Sequence, residues 1–214
     1  FGHNYRIPDD AEIEAQLEKV DYNNIEIQGN NISLKSGASV DLGGIAKGYA
    51  SEMVKEIFLN NGIKSGLISF GSAIQAVGTR NDGSAWRVGI ADPQNSEENI
   101  ARLELTDKCI ATSGSYEQAF EENGRKYHHI IDPSTGYPSE SGLASVSVIN
   151  DDATTADGLS TALFVMGLDE AIEYWKTNRG FEAVFITDSN AVYYTSGLAG
   201  SFDMTNGAEY TMIE

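Results

Sequence analysis

Three short segments gather the residue types that hold anions, hold cations and move protons. The first is Asp41-Leu42-Gly43-Gly44-Ile45-Ala46-Lys47-Gly48. Two glycines end a strand and open an amphipathic helix, a geometry that brings backbone close to a ligand and aims free N–H groups at it. Lys47 is expected one turn inside that helix, with Asp41 just before the turn. The same residues also fit a glycine turn with a capping Asp and a solvent-facing Lys.

The second segment is Tyr127-His128-His129-Ile130-Ile131-Asp132-Pro133-Ser134-Thr135-Gly136-Tyr137-Pro138. A strand carries two histidines into a turn that begins Asp-Pro. Strand alternation sends His128 and His129 to opposite faces, so the two have different tasks. Histidine suits proton transfer near neutral pH, although one at a strand end also serves structure. The third segment runs Asp151-Asp152-Ala153-Thr154-Thr155-Ala156-Asp157-Gly158-Leu159-Ser160-Thr161-Ala162-Leu163-Phe164. On a helix, Leu159, Ala162, Leu163 and Met166 make an apolar stripe, with Asp157, Ser160, Thr161 and Phe164 opposite. Asp157 and Thr161 stand four apart, so their oxygens converge. A carboxylate beside hydroxyls suits a hard cation such as Mg²⁺. A solvated helix face with an acidic first turn, favoured by the helix dipole, is the plainer alternative.

The elements that must position these segments are legible in outline. A polar lead-in segment covers residues 1–22, helix-prone from Asp10 to Val20. Ile25-Glu26-Ile27 and Ile32-Ser33-Leu34 flank Gly29-Asn30-Asn31 as a hairpin. Apolar residues from Ala46 to Phe58 recur at helical spacing, and Asn61-Gly62 ends that helix. Strand-like runs follow at 67–70, 74–77, 86–90, 101–105, 109–112, 127–131 and 143–149. Helices are expected from Ala153 to Gly167 and from Asp169 to Thr177, then strands at 183–187, 191–195 and 200–204. Hairpins around a few long helices predict an α+β fold with antiparallel or mixed sheets, organised as a single domain over residues 1–214.

Composition narrows the partners. The formal net charge of −18 repels nucleic acid and anionic membranes, so any phosphate ligand must be held locally by N–H groups, a Lys or a cation. No apolar run approaches the ~20 residues that span a bilayer. The single cysteine, Cys109, excludes an internal disulfide.

Together the three segments resemble the signatures of the ApbE family. Asp41-Leu42-Gly43-Gly44-Ile45-Ala46-Lys47-Gly48-Tyr49-Ala50 is similar to its glycine-rich motif. His129-Ile130-Ile131-Asp132-Pro133-Ser134-Thr135-Gly136 is similar to its His-Ile-Ile-Asp-Pro-x-Thr-Gly motif. Thr155-Ala156-Asp157-Gly158-Leu159-Ser160-Thr161-Ala162-Leu163 resembles its Thr-Ala-Asp-Ala-Leu-Ser-Thr-Ala motif. The resemblance runs from about residue 20 to the C-terminus. It implies a T-fold-like architecture and an enzyme that moves FMN from FAD onto a Ser or Thr hydroxyl of a client protein, releasing AMP. Asp41, Lys47 and Ile131 would contact FAD. The Gly44 carbonyl, Asp157 and Thr161, joined by Ser160, would hold Mg²⁺, and His129 would accept the proton.

The resemblance also implies a flavoprotein client and a place outside the cytoplasm, anchored by a lipidated N-terminus. Two departures stand out. Gly71-Ser72-Ala73 replaces the family's Gly-Gly followed by Asn or Asp. Members also carry a long segment before the region matching Asp41, including part of the FAD site, so an N-terminally incomplete domain is expected. Metal-dependent hydrolysis of FAD and non-catalytic flavin binding are the alternatives.

Overall fold

A computed structural model describes residues 5–205 and 210–214 of the chain. The first four residues of the lead-in segment, His3 among them, lie outside the described residues. The described residues form helices α1 (Asp10–Leu17), α2 (Ala46–Asn60), α3 (Ala153–Met166) and α4 (Leu168–Thr177). The strands are β1 (Ile25–Gln28), β2 (Asn31–Leu34), β3 (Gly66–Phe70), β4 (Ala73–Val77), β5 (Trp86–Asp92), β6 (Asn95–Leu105), β7 (Cys109–Gly114), β8 (Ala119–Glu122), β9 (Arg125–His128), β10 (Leu143–Asn150), β11 (Glu182–Thr187), β12 (Val192–Thr195), β13 (Phe202–Met204) and β14 (Tyr210–Ile213). The α+β expectation holds: the sheets are antiparallel except where β14 runs parallel to β12. No helix among the described residues is long and apolar enough to cross a membrane, which leaves β-barrels unaddressed.

The chain divides into two compact units, residues 1–42 with 117–139 and residues 43–116 with 140–214. In the first, α1 starts with a reciprocal cap: Asp9 accepts the Glu12 N–H, and Glu12 accepts the Asp9 N–H. Two hairpins follow, β1–β2 and β8–β9. The tip of β8–β9 is Asn123-Gly124, both in the left-handed region at φ 53° and 76°, the turn that matches strand twist.

The second unit is built on a seven-stranded sheet in the order β14-β12-β11-β10-β7-β4-β3. Its β7, β10 and β11 pack against α3 and α4, while α2 packs on β3, β4 and α3. Alternate residues such as Ile110, Ile149, Val184 and Ile186 form a core with Val88, Ile90, Ile100 and Leu103 of the three-stranded sheet β13-β6-β5. The helix-side positions of β7 are thereby Cys109, Ala111 and Ser113.

Four local expectations change. The strand expected to end at Gly43-Gly44 does not form; β2 stops at Leu34 and residues 38–42 are irregular. Lys47 is the second residue of α2, inside its first turn rather than one turn in. The strand expected over 127–131 ends at His128, because the His128 ring accepts the Ile130 N–H and draws the backbone off the ladder. On α3 the buried residues are Ala153, Ala156, Asp157, Ser160, Leu163 and Phe164, whereas Met166 is exposed. Most of the face read as polar is thus the packed one. Its small side chains let α2 and the sheet approach closely, and a wider apolar stripe would hold them apart.

Candidate functional site

The candidate residues fall in both units. Gly44, Lys47, Asp157, Ser160 and Thr161 lie in the second, and Asp41, His129 and Ile131 in the first. Each group is built within its own unit.

In the second unit the start of α2 meets the middle of α3. Ile45 provides no side-chain cap, so the first N–H groups of α2 look elsewhere for acceptors. Gly48 N–H donates to Asp157 Oδ2 at 2.9 Å. A helix N-terminus thus receives a carboxylate from a neighbouring helix, an arrangement its dipole favours. The contact demands glycine: a Cβ on Gly48 would lie 2.1 Å from the Ala153 carbonyl oxygen and 2.8 Å from Asp157 Cβ. On the next turn Glu52 accepts the Ala153 N–H at 2.8 Å, which ties α2 to the start of α3.

Asp157 is only 4% exposed. Burial pushes its carboxyl above the usual carboxylate range; the Gly48 N–H, the Lys47 charge and the Lys47 N–H offset this in part. Lys47 Nζ donates to Ser72 Oγ, so the Ser72 that departs from the family pattern keeps a polar contact from its loop. The hydroxyl of Thr161 is half-buried, and a Cβ built on Gly44 would lie 3.7 Å from its Oγ1. Gly44 and Thr161, which the motif resemblance groups with Asp157, lie close to each other at this joint.

Ser113 was missed. Its Oγ lies 2.8 Å from Ser160 Oγ and 3.0 Å from Thr161 Oγ1. Alternation along β7 could have set it on the helix side, but only the packing of α3 on that strand shows which hydroxyls it meets. Gly48, inside the first motif but not among the expected ligand contacts, supplies the N–H that holds Asp157.

In the first unit the two histidines differ in their bonding. His128 is buried; its Nε2 lies 3.1 Å from the Ser139 carbonyl and its Nδ1 3.3 Å from the Ile130 N. A carbonyl only accepts, so Nε2 carries the proton and Nδ1 accepts from the backbone. Both nitrogens of His128 hold the turn. His129 is half-buried, and its Nδ1 donates to the Glu117 carbonyl at 3.1 Å. That bond puts the lone pair of the neutral ring on Nε2. Asp132 accepts from Ser134 N–H at 2.8 Å and Ser134 Oγ at 2.6 Å, which closes the Asp-Pro turn on itself. Ile131 is exposed and lines an apolar groove of about 920 Å³ with Ile13, Leu17, Val20 and Pro133. Asp41 is exposed in the irregular stretch before Gly43.

The acceptor side chains of the second-unit cluster offer hard oxygens only, one carboxylate and hydroxyls. Among the described residues no three His, Cys, Asp or Glu side chains gather into a metal-binding group. A softer transition metal would want nitrogen or sulfur ligands that this cluster lacks, whereas Mg²⁺ takes one or two carboxylates and completes its shell with water or phosphate oxygens.

Comparison with known proteins agrees with the motifs. The model of the ApbE family matches residues 1–185. The FAD:protein FMN transferase of Vibrio cholerae serotype O1 is 35% identical over 175 residues, 81% of this chain and 52% of that protein. That of Treponema pallidum strain Nichols is 31% identical over 209 residues, 90% and 58% of the two chains. The crystal structure of the ApbE protein of Thermotoga maritima superposes with a TM-score of 0.85 at 36% identity, covering 92% of this chain and 64% of that one. The flavin transferase ApbE from Vibrio cholerae gives 0.81 at 31% identity over 92% and 64%. The chain spans about two-fifths to three-fifths of the length of the curated relatives it matches.

Proposed function

The chain belongs to the ApbE family, and from that premise we propose that it transfers FMN from FAD to a Ser or Thr hydroxyl of a client protein, with Mg²⁺ bound and AMP released. The carrying observation is the buried Asp157 carboxylate, held by the Gly48 N–H and grouped with Thr161 and Gly44. Burying a carboxylate is costly unless something positive meets it. Lys47 and the start of α2 meet part of that need, and a divalent cation would meet the rest.

In this reading Asp157, Thr161 and the Gly44 carbonyl would hold Mg²⁺, with Ser160 beside them. The chemistry the ion would supply there is neutralisation of pyrophosphate charge. Lys47, steadied by Ser72, sits at the same helix start and binds a pyrophosphate oxygen. A client hydroxyl oxygen forms a bond to the phosphorus next to riboflavin, and the bond from that phosphorus to AMP breaks with its electron pair leaving on AMP. The hydroxyl proton goes to His129 Nε2; the family motif and the Nδ1–Glu117 bond support this role. The apolar groove beside Ile131 supports a contact with FAD there, and Asp41 is the other proposed FAD contact.

The test is release of AMP from FAD in the presence of a client protein. We expect release to require Mg²⁺ and to vanish in Asp157→Asn. Equal release with chelator present, or in the variant, would reject the reading.

A further inference from the structure

We propose that Ser113 is a positioning residue for the cation site: it takes the hydroxyl hydrogen of Thr161 and so turns the oxygen lone pairs of Thr161 toward the metal. The inference rests on the reading of Asp157 and Thr161 as cation ligands. Its basis is the order of donors in a chain of three hydroxyls. Ser160 Oγ lies 2.8 Å from the Asp157 backbone carbonyl, which can only accept, so Ser160 spends its single hydrogen there. The 2.8 Å contact between Ser113 and Ser160 then requires Ser113 to donate. Ser113 has no second hydrogen, so the 3.0 Å contact with Thr161 requires Thr161 to donate to Ser113.

The direction runs one way, from Thr161 to Ser113 to Ser160 to the Asp157 carbonyl. A hydroxyl that binds a cation must present a lone pair and send its hydrogen to an acceptor. Ser113 is that acceptor. The relay also closes on the backbone of Asp157, so the carboxylate and the hydroxyl that share the cation are held by one chain of bonds. Ser160 is fully buried, donates to a carbonyl and accepts from Ser113. It therefore serves the relay with its hydrogen and one lone pair, and its second lone pair is left for the ligand role that the motif resemblance suggested. Partners that orient metal ligands commonly matter about 10–100-fold in metal affinity.

The experiment is Mn²⁺ titration followed by electron paramagnetic resonance, with FAD present, on the parent chain, Ser113→Ala, Ser113→Thr, Asp157→Asn, Thr161→Val and the double variant Ser113→Ala/Thr161→Val. Melting without metal confirms that each variant folds. We expect Ser113→Ala to weaken Mn²⁺ about tenfold, at the lower end of that range. Ser113→Thr, which keeps the hydroxyl, should recover most of the loss. In the Thr161→Val background Ser113→Ala should cost nothing further, because the hydroxyl it orients is gone. Parent affinity in Ser113→Ala, or an undiminished loss in the Thr161→Val background, overturns the proposal while leaving the cation site in place. Parent affinity in Asp157→Asn overturns the site itself, and the Ser113 role with it.

Discussion

The backbone N–H of Gly48 donates to the carboxylate of Asp157 across 2.9 Å, joining the first turn of α2 to the second turn of α3. Both residues belong to motifs read for ligand chemistry, yet their contact is also a structural joint. Gly48→Ala tests the joint. Alanine favours a helix interior by roughly 0.5–1 kcal/mol over glycine. Its Cβ would meet the Ala153 carbonyl at 2.1 Å, a backbone atom that cannot rotate aside. Overpacking of this kind costs about 1–3 kcal/mol or more, so the clash wins. Urea unfolding of Gly48→Ala should show a net loss of about 1–2 kcal/mol. A stabilised variant would mean that the helices are not in contact there.

Asp157→Asn should change stability with a sign set by pH. Burial raises the folded-state pKa of Asp157 above its unfolded value. Between the two values the folded chain holds the extra proton, so stability falls as pH rises through that window, and the cost persists above it. Without divalent cations the variant, which never ionises, should therefore gain in melting temperature relative to the parent as pH climbs above the ordinary carboxylate value of about 4. Saturating Mg²⁺ should reverse the order, since a ligand at a hundred times its Kd adds about 2.7 kcal/mol to the parent alone. Parallel melting curves at every pH and in both buffers would contradict the buried, cation-holding carboxylate.

Cys109 should be inert while the chain is folded. It is fully buried at the start of β7, and burial, then the charges of Glu52 and Asp157, push its thiol up to about 12. At pH 8 that leaves on the order of one thiolate in 10⁴. Iodoacetamide at pH 8 should leave the native chain unlabelled and modify it fully in denaturant. Rapid labelling of the native chain would show that β7 is exposed.

The two histidines should separate stability from rate. His128→Ala removes a donor to Ser139 and an acceptor for Ile130, both in a buried turn. It should cost about 1–3 kcal/mol in thermal or chemical unfolding. His129→Ala should leave stability nearly unchanged and slow flavin transfer about 10²–10⁴-fold. Single-turnover rates for the two variants decide. A slow His128→Ala that is also fully stable would exchange their roles.

Much of this was legible in the sequence, for identifiable reasons. Glycine pairs, the His-Ile-Ile-Asp-Pro run and the Asp157/Thr161 spacing are local patterns, and local geometry carries them into the fold. The β1–β2 hairpin and all three long helices follow from turn residues and periodicity. The β8 strand was missed although Asn123-Gly124 is a strong hairpin signal, because Glu121, Glu122, Arg125 and Lys126 around it hide the apolar alternation. The packed face of α3 was misjudged because periodicity equates apolar with buried. At this joint Ala153, Ala156 and Ser160 are buried because they are small, and Asp157 because it meets the start of α2. Ser113 depends on which face of β7 meets α3, a tertiary relation that spacing along one chain does not encode.

Transfer of FMN to a protein hydroxyl is read by intact-protein mass spectrometry of the unmodified form of a client of one of the relatives, incubated with this chain, FAD and Mg²⁺. We expect one FMN adduct on a Ser or Thr of the client, AMP formed in equal amount, and no adduct when Asp157→Asn replaces the parent. FAD converted to free FMN and AMP with the client unmodified, or FAD left intact, would contradict it.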